Sequence, residues 1–310
     1  MIRRIVVLLL IISALQNRSI AQEGRYTSIE EGLKDPTKVI TLDLWNDSLT
    51  TLPEEIVRFK NLKSLYLNHN QLTELPQFLK KLKKLELIDL AGNPLKEFPE
   101  VLIRLPRLRS LSFSHCPIAT YPATLGRLKK IEWLNFMYSA IREIPAGVFC
   151  MKKLKRLILV GNEIATIPPE IKCLKNLESL DLNYNNIQAL PLEMQVLNKL
   201  EQLELRGNQL DSFPVAINQE TWPALEVLDL SKNQLKYLPL DFDYWIAHLD
   251  LDLSYNQLTD LPQQPYNFYS IIHGKVKVFG NNFSAETKAK IKNYYEVMPA
   301  RGARFLLEDK

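Results

Sequence analysis

Residues 177–199 read LESLDLNYNNIQALPLEMQVLNK, with leucine at 177, 180, 182, 190 and 197, asparagine at 185 and proline at 191. The same order of residue types returns every 23 residues. Leu62, Leu85, Leu108, Ile131, Leu154, Leu177 and Leu200 open successive units at that interval. Val39 opens one before them, and Leu225, His248 and His273 open three more after steps of 25, 23 and 25. Self-similarity at a fixed period of this size is the signature of a stacked repeat architecture. Length alone would suggest two domains for 310 residues. An array grows by adding units, so residues 22–310 are expected to make one domain.

With Leu177 as position 1, each column of the repeat has a physical reading. Positions 4 and 6, such as Leu180 and Leu182, alternate with polar residues at 3 and 5, the period of a strand with one buried face. Positions 11, 14, 18 and 21, as in Leu72, Leu75, Leu79 and Leu82, supply the other walls of the core. One unit cannot bury these leucines alone, so stacked units share them. Position 15 is proline in ten units, from Pro53 to Pro262, which accounts for ten of the eighteen prolines. Proline has no N–H and a fixed φ, so it ends the strand half and suits the start of a helical turn. Position 9 holds Asn70, Asn93, Asn162, Asn185, Asn208, Asn233, Asn256 and Asn281. A carboxamide can satisfy both N–H and C=O groups of a buried turn, which makes the column structural.

The unit resembles the 23-residue leucine-rich repeat, LxxLxLxxNxLxxLPxxLxxLxx, over residues 39–283, about four fifths of the chain. The resemblance implies an α/β solenoid of horseshoe form. A parallel sheet lines its concave face, short helical turns its convex side, and helical caps seal its ends. Residues 22–38 form the expected N-terminal cap, with a capping box at Ser28-Ile29-Glu30-Glu31. Residues 284–310 form the C-terminal cap and tail, with Ser284 as helix N-cap. Two-residue insertions near Trp222-Pro223 and Pro265–Phe268 are expected to bulge on the convex side.

The first 21 residues stand outside the array. Arg3 and Arg4 precede an apolar run from Ile5 to Ile12, and Ser19-Ile20-Ala21 offers small residues before Gln22. That order predicts a secretory signal peptide cleaved near Ala21, with an uncleaved anchor as the competing reading. The apolar stretch falls short of the roughly 20 residues needed to span a bilayer, so the mature chain is expected to carry no transmembrane segment. Removing Arg3, Arg4 and Arg18 leaves 36 bases against 35 acids, where the whole chain has a net charge of +4. Neither value gives a concentrated basic face, so nucleic acid is not an expected partner. With 46% apolar and 24% charged residues, the composition excludes a disordered or collagen-like chain.

Catalytic motifs are missing from the sequence: there is no GxSxG, phosphate loop, HExxH or CxxC. His69 and His115 fall two repeats apart, about 10 Å by strand spacing, too far to share a metal. The reading is therefore non-catalytic, with no cofactor and no metal, and enzyme activity is the least favoured alternative.

The more specific signal lies at outward positions of the middle repeats. His115, Trp133, Asn135, Met137, Tyr138, Arg156, Ile158 and Val160 stand where neighbouring repeats mostly place Ser, Asp, Asn or Gly. An exposed apolar cluster holding Trp, Tyr and Arg has the composition of a binding hot spot. Three occupants of that surface stay open: a protein partner, a second copy of the chain, or a covering segment of the same chain. A glycan stacked on the rings is the alternative ligand, in an adhesive role. Trp45, Tyr66 and His69 extend a weaker aromatic track toward the N-terminus.

A second strip runs at position 5, where Asp181, Glu204, Asp229 and Asp252, with Asp250 nearby, place carboxylates on adjacent strands. A solvated face is the favoured reading, and a docking strip for a basic partner the runner-up. Two of the three cysteines, Cys150 and Cys173, share position 20 of neighbouring repeats, where a disulfide competes with two free thiols. The third, Cys116, replaces asparagine at position 9, as Ser139 does in the next repeat, while Phe113 and Phe136 replace leucine at position 6. Large rings beside small turn residues suggest volume compensation in a packed interior.

Overall fold

The computed structural model describes residues 23–118, 120–214, 216–239, 249–262, 275–296 and 304–306. The expected export signal, His248, His273 and the insertion near Pro265–Phe268 lie outside them. Among the described residues the backbone forms one thirteen-stranded sheet whose strands follow one another in chain order. Before the repeats comes β1 (Arg25–Tyr26). The repeats supply β2 (Thr41–Asp43), β3 (Ser64–Tyr66), β4 (Leu87–Asp89), β5 (Ser110–Ser112), β6 (Trp133–Asn135) and β7 (Arg156–Ile158). They continue as β8 (Ser179–Asp181), β9 (Gln202–Glu204), β10 (Val227–Asp229), β11 (Asp250–Asp252) and β12 (Lys275–Lys277), and β13 (Arg304–Leu306) closes the row. Every neighbouring pair is parallel, with like positions in register: Leu180 pairs with Leu157 on one side and Leu203 on the other.

That register stacks the leucine columns. Leu157, Leu180 and Leu203 at position 4 and Leu159, Leu182 and Leu205 at position 6 are all fully buried. Each such side chain contributes about 2 kcal/mol of apolar burial. Behind the sheet, seven 3-10 helices run from Glu54–Arg58 to Leu192–Val196 among the described residues. Each is preceded by the position-15 proline, at φ between −75° and −56°. The proline therefore ends the loop and starts the turn, as its fixed φ favours.

The asparagine column works as its chemistry requires. Asn185 Nδ2 donates to the carbonyls of Leu159 and Leu182 at 2.9 and 3.0 Å, and its Oδ1 accepts from the Ile164 N–H at 3.1 Å. One side chain thus binds its own turn to the previous repeat. Where the column breaks, part of the link survives: Cys116 Sγ reaches the Leu90 carbonyl at 3.2 Å and Ser139 Oγ the Phe113 carbonyl at 2.9 Å. Beside them Phe113 and Phe136 stack at 6.1 Å and 6°, with Tyr121 edge-on to Phe136 at 4.6 Å. The bulk of the rings fills what the small turn residues leave, and the core becomes aromatic there.

Position 8 is left-handed in every described repeat. The non-glycine residues Asn46, His69, His115, Tyr138, Tyr184, Lys232 and Tyr255 have φ between 51° and 57°, and Gly92, Gly161, Gly207 and Gly280 between 66° and 69°. In the second to seventh repeats position 2 alternates in charge, Lys63, Glu86, Arg109, Glu132, Lys155 and Glu178, before Glu201 and Glu226 end the pattern. Arg109 pairs with Glu132, and Lys155 with Glu178 at 2.7 Å. Such exposed pairs are worth well under about 1 kcal/mol each.

Both ends depart from a purely helical cap. Helix α1 (Ile29–Gly32) is one turn long, with the Glu31 N–H donating to Ser28 Oγ, and its buried Gly32 sits against Phe59 and Val39. Before it, β1 pairs with β2 and Arg25 binds Asp43 at 2.5 Å. The segment thus pairs the sheet edge as well as covering the core. At the far end Thr287 N–H donates to Ser284 Oγ at 3.0 Å, starting α2 (Ala285–Glu296), and β13 then adds to β12. The insertion near Trp222 sits against the convex-side helix Leu192–Val196. Trp222 is 1% exposed and donates its indole N–H to the Met194 carbonyl at 2.9 Å, so the extra residues deliver a ring into the core.

Candidate binding face

The outward positions of β6 and β7 bring the middle-repeat residues together. Trp133 is in register with Arg156 and Asn135 with Ile158. Trp133, Asn135 and Ile158 are half-buried, and Arg156 is exposed. Just past β6, the Met137 N–H donates to Asn135 Oδ1 at 2.9 Å, which fixes the chain as it leaves the strand. Tyr138 follows in its left-handed turn, 49% exposed, with its N–H on the Val160 carbonyl at 2.8 Å. The His115 ring stacks on Tyr138 at 4.9 Å and 27°. Tyr138 lies over Gly161, where an added Cβ would come within 2.1 Å of its ring. One ring face is thus set against backbone. Beneath the strands sits the aromatic core of Phe113, Phe136 and Tyr121, whose hydroxyl is buried without a hydrogen-bond partner. Burial pushes that phenol's pKa up.

One expected surface residue is not at the surface. Val160 is 8% exposed; Ser114, Asn183, Ser231 and Ser254 at the same position 7 are also buried, whereas Trp45 is exposed and Met137 half-buried. At that burial Val160 has a packing reason to be apolar, which the exposed Trp45 at the same position of the first repeat does not share. The N-terminal track is also separate. Trp45 and His69 meet edge-on at 6.3 Å, and Tyr66 is half-buried beside them on β3. Strand β4 lies between this group and β5, and it presents Leu87 and Asp89 there.

The acidic strip is less solvated than its composition suggests. Asp252 is 6% exposed, paired with Lys277 and accepting from Ser254 N–H at 3.1 Å. Asp229 accepts from Ser231 Oγ at 2.5 Å, and Glu204 from Asn183 Nδ2 at 2.7 Å. Asp250 accepts from the Lys275 N–H at 3.0 Å. Burial, and then the charge of Glu204, pushes the Asp181 carboxyl up to about 7. Burial also raises Asp229 above the usual carboxylate range. The strip is a row of buried and half-buried, largely hydrogen-bonded carboxylates. No group of three or more His, Cys, Asp or Glu among the described residues is placed to hold a metal ion.

The disulfide weighed for Cys150 and Cys173 is not formed: both are free, Cys150 exposed and Cys173 half-buried on the convex side, while Cys116 is buried. Sequence reading passed over Tyr184 and Tyr255. Each is exposed by more than 40% and lies over a glycine of the following repeat, Gly207 and Gly280. The signal was present as an aromatic-then-glycine sequence down position 8, at His69/Gly92, Tyr138/Gly161, Tyr184/Gly207 and Tyr255/Gly280.

Comparison with known proteins agrees with this geometry. The family model for the leucine-rich repeat matches residues 37–95, 60–118 and 152–210. No curated protein matches the sequence. Among solved structures, the chain is similar to a leucine-rich repeat protein of Leptospira interrogans, at 22% identity over 92% of this chain and 100% of that one, with a TM-score of 0.57. It is similar to internalin C2 of Listeria monocytogenes, at 25% identity over 57% of this chain and 75% of that one, with a TM-score of 0.50. A chain of the Toll–Spatzle complex of Drosophila matches at 17% identity over 91% of this chain and 46% of that one, with a TM-score of 0.62. With the 23-residue period, its asparagine ladder and the parallel sheet, these matches show leucine-rich repeats over residues 37–118 and 152–210 and the solenoid fold of leucine-rich repeat proteins.

Proposed function

We propose that this protein is an exported, non-catalytic binding protein that recognises another protein through its concave face. In this reading residues 1–21 are removed, residues 22–38 and 284–310 cap the array, and residues 39–283 carry eleven repeats. The observation that carries the proposal is the pairing of half-exposed Trp133 and Ile158 with Arg156 and Asn135 across β6 and β7, beside the His115–Tyr138 stack. Met137 completes the surface. These side chains stand on paired strands over a close-packed aromatic core, so little freedom is lost on binding. Aromatic and arginine anchors on such a support dominate binding energy in protein interfaces. No helix among the described residues is long and apolar enough to cross a membrane.

The test is affinity capture with the wild-type chain beside a Trp133→Ala/Ile158→Ala variant, with partners identified by mass spectrometry. The proposal expects a protein captured by the wild type and lost from the variant. A variant that keeps every protein partner and loses only carbohydrate overturns it in favour of an adhesive role. Turnover of a substrate by the purified chain overturns both. The export step is read separately, by an N-terminus at Gln22 in protein recovered outside the cytoplasm.

A further inference from the structure

The C-terminal repeats carry a second surface, apart from the Trp133 face and of different chemistry. The Tyr184 ring lies over Gly207, where an added Cβ would come to 2.7 Å of Cδ1. Its hydroxyl accepts from Arg206 Nε at 2.9 Å, and Arg206 is in turn bound to Ser231 Oγ at 3.3 Å. The ring is thus held at one face by backbone and at its tip by a guanidinium, yet it is 45% exposed. Three repeats further on, about 14 Å by strand spacing, Tyr255 also lies over a glycine, Gly280, with Phe279 edge-on at 5.3 Å and Lys232 Nζ over its ring at 5.8 Å.

Two residues after each position-8 residue, on the far side of the inward asparagine, stands a carboxamide. Asn186, Gln209, Gln234, Gln257 and Asn282 occupy position 10 of five successive repeats and all are exposed. Their backbone N–H groups are tied to the preceding repeat at 2.8–2.9 Å, so the column is pinned at its base. Gln209 Nε2 lies 3.3 Å from Asn186 Oδ1, which puts neighbouring side chains in reach of one another. Repeats three to six place Pro94, Pro117, Ala140 and Glu163 at this position. An unbroken run of carboxamides therefore occurs in the part of the solenoid that carries Tyr184 and Tyr255, with Gln71 of the second repeat standing alone.

We propose that the Tyr184 face and the row of carboxamides bind a neutral polysaccharide lying along the repeats. A fixed aromatic face accepts the C–H face of a pyranose ring. A carboxamide offers a donor and an acceptor side by side, which matches vicinal hydroxyls. Lys232 is the one formally charged residue in positions 8 and 10 across these repeats, so the row does not favour a charged ligand. The spacing of strands, about 4.8 Å, repeats the row on the scale of a sugar unit.

The test is affinity gel electrophoresis of the purified full chain in native gels containing hydroxyethylcellulose, galactomannan or dextran, with polygalacturonate as the acidic control. The proposal expects retardation by at least one neutral polymer. It expects binding about tenfold weaker in Tyr184→Ala and in Gln209→Ala/Gln234→Ala, and close to wild type in Tyr184→Phe. Urea midpoints of the variants separate a lost contact from a lost fold. Migration unaffected by every neutral polymer overturns the proposal, as does equal retardation of wild type and Tyr184→Ala. Retardation by polygalacturonate alone overturns it in favour of a charged ligand. The Trp133→Ala/Ile158→Ala variant should still bind the polymer, so this site and the protein-binding face fail independently.

Discussion

Replacing Gly161 with alanine adds one methyl group where the structure has no space for it. The new Cβ would lie 2.1 and 2.2 Å from Cε1 and Cδ1 of Tyr138, and the backbone φ is +66°. Two costs follow. An L-residue held in the left-handed region costs about 1 kcal/mol more than glycine. The Tyr138 ring must also leave its seat on the backbone, forfeiting contacts and its stack on His115 worth about 1–1.5 kcal/mol. The expected loss is about 2–2.5 kcal/mol of unfolding free energy. The two parts separate in a double-mutant cycle. In a Tyr138→Ala background only the backbone term remains, so Gly161→Ala should then cost about 1 kcal/mol, leaving a coupling near 1–1.5 kcal/mol. Urea denaturation followed by circular dichroism gives the four stabilities. Equal costs of Gly161→Ala in the two backgrounds would refute the claim that Tyr138 is seated on this glycine.

Three further outcomes follow from buried groups. Tyr121→Phe removes a buried hydroxyl without a partner, and should raise stability by about 1 kcal/mol; a loss of that size would mean that the hydroxyl is satisfied in solution. Asp181 has a folded pKa near 7 against 3.8 for the free side chain. The folded state therefore holds a proton that the unfolded chain releases between about pH 4 and 7, and stability from this group falls as pH rises through that window. The full difference amounts to roughly 4 kcal/mol at most. Asp181→Asn should flatten the slope between pH 5 and 8 in urea midpoints, and a wild type equally stable at both values would contradict it. In the native protein a thiol reagent should titrate Cys150 and Cys173 but not Cys116, whose buried thiol has its pKa pushed up to about 11. Fast reaction at all three thiols would show that the ladder is open at that repeat.

The period made the architecture readable because each column has one environment repeated many times. Asn185 and its counterparts could be assigned to the turn before any coordinates, since only a carboxamide serves both sides of a buried loop. What escaped depended on neighbours in other repeats. Val160 alternates correctly for an outward residue, yet it is buried where Met137 one repeat earlier is half-buried. Trp222 arrives in an insertion and fills the interior, which a pattern of leucines does not announce. Arg25–Tyr26 and Arg304–Leu306 pair with the sheet ends without belonging to the repeat, so no periodicity marks them. At the candidate face, residue types were legible from composition. The seating of Tyr138 and Tyr184 on glycines was not, because it joins two repeats across a turn.

The alternating charges at position 2 have a consequence for assembly that their small individual energies conceal. The leucine cores of the repeats are nearly interchangeable, so a strand that skipped its neighbour during folding would still find a hydrophobic seat. Such a slip would set Arg109 beside Lys155 and Glu132 beside Glu178, like against like along a whole edge. The correct stack turns every one of those meetings into an attraction. Lys63 through Glu178 thus act as a parity check on the order of the repeats, in the class of protein where misassembly between similar units is the characteristic error.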